Sequence, residues 1–231
     1  MAQRINSFQI LRLHWKILNR LPAVLTALFL AGYLLLATFF TAPPWVSGSI
    51  DFLHRVVEMV VPLVFCLHAA FSLAPEGEPA LELLLTLPVR VPRLFWQRLG
   101  ALSLLYGGIA AIATLIIAAM PGRENLGVAF LRWLAAGVLF GGVALLAAQL
   151  TRQGVFGALL ATFLWLGDAY GGEGLLKTWP ELWPLHIYLQ PQDVSPAVYL
   201  LNRLCLLAIG SALILATLLL LSQEERILGI R

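Results

Sequence analysis

The chain has 231 residues, of which 60% are hydrophobic and only 12% charged. A soluble domain carries about twice that share of charge, so the composition excludes an ordinary water-soluble fold and leaves one bundle of membrane-spanning helices. The net charge of +3 would point to nucleic acid in a soluble protein, but here the basic residues lie where membrane topology wants them, and no nucleic-acid partner is expected.

Residues 1–20 read as an amphipathic helix. Gln9, Arg12, Lys16 and Arg20 recur every three or four residues as one polar stripe, while Phe8, Leu11, Trp15 and Leu18 fall on the apolar remainder. Such a helix lies in the headgroup region and touches membrane lipid, its basic side chains snorkelling outward. Read as a secretory leader, its apolar region would be twice the usual length. Residues 21–40 form a first span without a charge. A short loop with Pro43, Pro44 and Trp45 leads to a second span at 52–73, unusual in carrying His54, Arg55, Glu58 and His68. Further spans are expected at 99–120, 128–150, 154–170 and 199–221. Residues 21–231 are thus expected to form one six-span domain of an all-α integral membrane protein. Gly107, Gly108, Gly141, Gly142, Gly154 and Gly157 are the small residues expected to let helices approach closely. Cys66 and Cys205 fall inside spans and read as small hydrophobes, with no disulfide framework or zinc spacing.

The longest interruption of apolar sequence in the first half lies between the second and third spans. Glu76, Glu78 and Glu82 come first, Leu81, Leu83, Leu84 and Leu85 follow, and Arg90, Arg93 and Arg98 close the segment. Pro79 suits the first position of a helix and Pro88 cannot continue one, so a short helix is expected at about 79–88. At ~1.5 Å per residue it reaches ~14 Å, too short to cross a bilayer. It would lie across the mouth of two spans, as a docking element does.

The run EGEPALELLLTLPVRVPRLF, residues 76–95, resembles the first cytoplasmic loop of exporter-type ABC transporter permeases of the ABC-2 class. Glu82, Leu83, Leu84, Pro88, Val89 and Leu94 match the family pattern; members often have Arg or Lys near its start, where this chain has Glu76 and Glu78. The resemblance implies that the segment is a cytoplasmic coupling helix seated in a cleft of a partner ATPase, with Glu78, Leu81, Glu82, Leu84, Leu85, Pro88 and Arg90 at the contact. It further implies two copies of that ATPase, a second permease copy or a sister permease, and ATP and Mg bound by the partner, with no cofactor in this chain. A haem-exporter-B-like permease of cytochrome c assembly, similar in size and span number, and a non-transporting membrane scaffold or sensor subunit are the alternatives.

Ten of the fifteen basic residues fall on one side of the six-span layout, which puts both termini in the cytoplasm, with the plasma (inner) membrane of a prokaryote as the expected location. The same orientation places residues 79–88 in the cytoplasm, where an ATPase would meet them. GGEGLLKT, residues 171–178, looks like a phosphate-binding loop but has Leu176 where that motif needs glycine, so no nucleotide site is expected here. Glu224, Glu225 and Arg226 lack the spacing of an intramembrane protease motif, and no G-x-S-x-G is present; a transporter subunit rather than an enzyme is expected.

Three constellations remain. His54, Arg55 and Glu58 share a helical face by spacing and either line a substrate path or outer gate, or form an Arg–Glu pair snorkelling at the interface. Asp168, Arg132 and Arg203 lie at the outer ends of three spans and form either one ion-pair layer or separately solvated ends. His68 reads as a packing histidine. The loop 171–198 carries Trp179, Trp183, His186 and Tyr188 between prolines. The resemblance implies that it is re-entrant and closes the outer end of the pathway; otherwise its aromatics anchor the interface.

Overall fold

The computed structural model describes residues 21–40, 49–74, 91–119 and 125–227, all helix or connecting turn, with no strand among the described residues. The elements are α1 (Leu21–Phe40), α2 (Ser49–Leu73), α3 (Val91–Ala118), α4 (Leu126–Thr151), α5 (Gly154–Thr178), a 3-10 turn (Pro180–Leu185) and α6 (Pro196–Ile227). The expected interfacial helix at 1–20 and the coupling segment with Glu78, Leu81, Glu82, Leu84, Leu85, Pro88 and Arg90 lie outside the described residues.

Five helical stretches are long and apolar enough to cross a bilayer: Leu53–Leu73, Pro92–Ala118, Leu126–Thr151, Gly154–Gly172 and Pro196–Gln223. This is an all-α, multi-pass membrane protein. α1 contributes a shorter apolar stretch, Pro22–Leu35. Large apolar side chains such as Leu28, Leu104, Phe163 and Leu219 point outward, as they do where the surrounding medium is hydrocarbon and the backbone satisfies its own hydrogen bonds within each helix.

Helix α4 is the axis of the bundle and packs most extensively on α6, α2 and α5. Its sequence explains this. Asn125 caps its start by accepting from the Gly127 N–H (2.8 Å), and small residues then line the sides that meet neighbours. A Cβ on Gly142 would lie 2.5 Å from the Gly210 carbonyl oxygen of α6, and one on Gly210 would lie 2.6 Å from the Val138 carbonyl of α4. The two backbones can touch only because both positions are glycine. Gly154 and Gly157 approach the carbonyl oxygens of Ala70 and Ala144 in the same way and Gly141 makes room for the Phe65 ring, whereas Gly107 and Gly108 of α3 face open space. α4 ends at Arg152, whose φ of 59° turns the chain left-handed, and α5 begins two residues later as the second arm of a tight hairpin.

Helix α2 crosses the bundle with Pro62 inside it. Proline donates no hydrogen bond and disturbs the preceding turn. There the indole N–H of Trp165 on α5 donates to the Met59 carbonyl (3.1 Å), tying α5 to α2. Nearer its C-terminal end, His68 Nδ1 lies 3.0 Å from the Tyr106 hydroxyl, and the Arg98 guanidinium of α3 donates to the Ser72 carbonyl (3.4 Å). The two helix ends that flank residues 75–90 are thereby held side by side.

Several boundaries differ from the sequence reading: α2 starts at Ser49 rather than 52 and α3 at Val91 rather than 99. α5 continues to Thr178, through residues 171–178 of the stretch 171–198 expected as loop, and Gly172 lets His186 pack against it: a Cβ there would stand 2.5 Å from the ring. α6 starts at Pro196 rather than 199, with Ser195 as its cap: Ser195 Oγ accepts from the Val198 N–H at 3.4 Å.

Candidate functional site: a buried loop held by three polar side chains

The chain between α5 and α6 leaves the 3-10 turn and dips inward. Trp179, Leu182 and Leu185 are exposed and Trp183 is half-buried, but Ile187, Tyr188, Leu189 and Gln190 are all buried. Irregular backbone at that depth has no ladder to satisfy it, so each N–H and C=O needs another partner. Three side chains supply most of them.

Asp168 of α5 accepts from the Ile187 and Tyr188 N–H groups through Oδ2 (3.1 and 3.0 Å), and its Oδ1 lies 3.0 Å from His186 Nδ1. A carboxylate only accepts, so Nδ1 carries the proton in this pairing. Asn202 of α6 is fully buried, and its Nδ2 lies within donating distance of the carbonyls of Trp183 (3.0 Å), Pro184 (3.1 Å) and His186 (2.9 Å). Arg203, next in the chain and also fully buried, donates to the carbonyls of Ile187 (2.6 Å) and Leu189 (2.8 Å). Gln190 completes the segment by donating to the Tyr188 carbonyl (2.9 Å).

Arg203 also makes a fully buried ion pair: its Nη2 donates to Glu58 Oε1 of α2 at 2.9 Å, with both side chains wholly inaccessible. Its guanidinium lies 4.8 Å from the centre of the Tyr199 ring, a cation–π arrangement. Arg132 of α4 is buried as well, and its positive charge acts on Glu58 alongside that of Arg203. A single charge at such depth costs several kcal/mol, about 2.5–3.5 on the mildest scale, and the pairing offsets it. Glu58 Oε2 and the hydroxyls of Tyr188 and Tyr199 are buried without a hydrogen-bond partner among the described residues, leaving a polar patch beneath the loop. Burial pushes the Tyr188 phenol well above its ordinary range, so it remains a neutral O–H.

The sequence-predicted residues fall into three groups. Glu58, Arg132, Arg203 and Asp168 are gathered at one end of the bundle. The ion partner of Arg203 is Glu58, whereas Asp168 engages His186 and loop backbone. His54 is buried near them, while Arg55, adjacent in sequence, faces outward because one residue turns a helix by ~100°. Trp183 reaches the site only through its carbonyl, and Trp179 is exposed. Sequence reasoning passed over Asn202 and Gln190. The signal for Asn202 was available: an Asn-Arg dipeptide inside an otherwise uncharged apolar run needs a reason to be there.

Chemically, this arrangement can hold an irregular segment shut across the end of a helical bundle. Among the described residues no cluster of three or more His, Cys, Asp or Glu could hold a metal ion, and Cys66 and Cys205 are free thiols. No protein-family model matches the chain, and no curated protein or solved structure matches it either.

Proposed function

We propose that this chain is the transmembrane permease subunit of an ATP-driven exporter of the ABC-2 type. α1 would add a sixth span to the five long ones, both termini would be cytoplasmic, and a separate ATPase would supply the energy. The observation that carries the reading is the coupling-type motif at residues 76–95, which follows α2 in sequence and runs into the start of α3, together with the Arg98–Ser72 contact that fastens the flanking helix ends. A push on residues 79–88 would therefore reach the two helices as a unit.

The buried loop supports an extension of the same reading. Ser72 and Glu58 lie on one helix, ~21 Å apart along its axis. Movement of α2 at its docking end would be felt at the Glu58–Arg203 pair, whose guanidinium also grips the loop at Ile187 and Leu189. In this mechanism the loop is the outer gate. ATP-driven displacement of α2 strains the ion pair, Arg203 releases its carbonyls, and the polar patch beneath opens to the outside.

Gentle purification from native membranes with mass spectrometry of bound proteins tests the core of this proposal. A Walker-motif ATPase at near-equal stoichiometry is the expected result, and a chain that emerges alone without ATPase activity overturns it. In the assembled complex, Glu82→Arg or Leu84→Arg should abolish transport while ATP hydrolysis continues. A scaffold or sensor subunit would work unchanged with either substitution.

A further inference from the structure

A cavity lies away from the gate, between α3 and α4, with α2 and α6 contributing to its walls. It has a volume of about 380 Å³ and a lining that is almost wholly apolar. Pro62 and Phe65 come from α2, Ile214 from α6, and Gly107 and Gly137 stand on the facing helices. A Cβ at either glycine would meet nothing within 4 Å, so these residues leave room without bringing helices together. A dry apolar cavity of about 150 Å³ takes a benzene ring, so this one accommodates a considerably longer hydrocarbon.

Length and polarity along α3 select the occupant. The cavity follows α3 from Trp96 to Gly107, eleven residues or ~16 Å, close to the ~15 Å of one leaflet's hydrocarbon. At one end Trp96 is half-exposed and Arg93, one turn earlier on the same face, is exposed, as an indole and a cation at headgroup depth are. A helix of a second copy is ~10 Å across and would need a broad face, whereas a single alkyl chain enters a slot of leaflet length with its phosphate beside the cation. We propose that this groove binds one acyl chain of an anionic membrane phospholipid, with the headgroup at Arg93 and Trp96 and the chain running past Gly107 toward Trp133. This inference needs only that the chain sits in a bilayer, and it stands or falls independently of the transporter reading.

Trp133 lines the groove and provides the readout. The full chain, alone or with whatever partners purify with it, would be reconstituted in phosphatidylcholine vesicles containing increasing amounts of phosphatidylglycerol brominated in the distal half of its chains. The quenching lost in the Trp133→Phe variant isolates the Trp133 signal. The expected result is that this component saturates while the bromolipid is still a minor fraction, and that Gly107→Leu and Gly137→Leu, which fill the groove, each remove the saturable part. Ser103→Leu, on the same wall, provides a third variant should either glycine replacement fail to fold. Quenching that rises in proportion to bromolipid content, unchanged in the filled variants, would mean ordinary boundary lipid and overturn the site. Absence of quenching with ready disulfide crosslinking of Gly107→Cys between copies would mean that a second chain covers the groove, and would overturn it equally.

Discussion

Arg203 meets one carboxylate, two carbonyls and one aromatic ring, all out of solvent. The energetic asymmetry of such a residue is testable. Removing one partner, as in Glu58→Leu or Arg203→Met, leaves the other charge buried, and each single change should cost about 3–5 kcal/mol. The double variant should lose less than the sum, because neither member of the Glu58–Arg203 pair is left facing the gap of the other, although buried Arg132 still loses the Glu58 charge. Equilibrium unfolding of the four proteins in detergent measures that coupling. Asp168 belongs to the same scale. Asp168→Asn keeps the shape but replaces charge-assisted acceptors with one neutral carbonyl, a loss of about 1.5–3 kcal/mol. Amide exchange at Ile187 and Tyr188 should then accelerate by roughly ten- to a hundredfold, while exchange in the middle of α4 stays unchanged.

At the level of helices, the glycines separate into two kinds that sequence spacing cannot distinguish. Gly142 sits where backbones of α4 and α6 meet, and Gly142→Ala would force them apart at a cost of about 1–3 kcal/mol. Gly108 faces open space on a helix, and Gly108→Ala should leave stability unchanged or raise it by up to about 1 kcal/mol through helix propensity alone. Thermal stability of the two variants side by side reads the contrast. α2 is the element that joins the two ends of the molecule: it carries Glu58 near one end and the Ser72 contact at the other, with Pro62 between them. Its proline removes one intrahelical bond at that point, and Trp165 braces the neighbouring carbonyl from outside. A helix built this way is stiff enough to transmit a displacement and has a defined place to bend.

On the scale of the whole molecule, the bundle has one end with the buried ion pair and loop and another where α2 and α3 are fastened through Arg98 and Ser72. The proposed orientation puts the first outside and the second in the cytoplasm. With Cys66 and Cys205 replaced by alanine, a cysteine at Glu181 should react with a membrane-impermeant maleimide in intact cells, and one at Arg152 only after the membrane is opened. The opposite pattern would invert the topology and remove residues 79–88 from the reach of a cytoplasmic ATPase.

The helical, multi-pass character was legible in the sequence because it depends on composition and run length, which are local. So was the break at Arg152–Gln153, which leaves no room for anything but a tight turn. The presence of Glu58 inside an apolar span also announced that a partner or water was needed, whereas Arg132, Asp168 and Arg203 at span ends could as well have been solvated. Which partners they take was decided by the fold. Glu58 and Arg203 are 145 positions apart, and they meet because α2 and α6 bring their ends to the same depth beside α4. Spacing along one helix grouped Arg55 with Glu58, but packing against other helices buried one and exposed the other. The loop after α5 could be recognised from its prolines and aromatics, yet its descent into the bundle rests on Asp168, Asn202 and Arg203 together satisfying backbone groups that water would otherwise hold. Local physics determined what each segment is, while the pairing of charges and carbonyls across distant helices arises only in the tertiary structure, since burial makes an unmatched polar group too costly to leave alone.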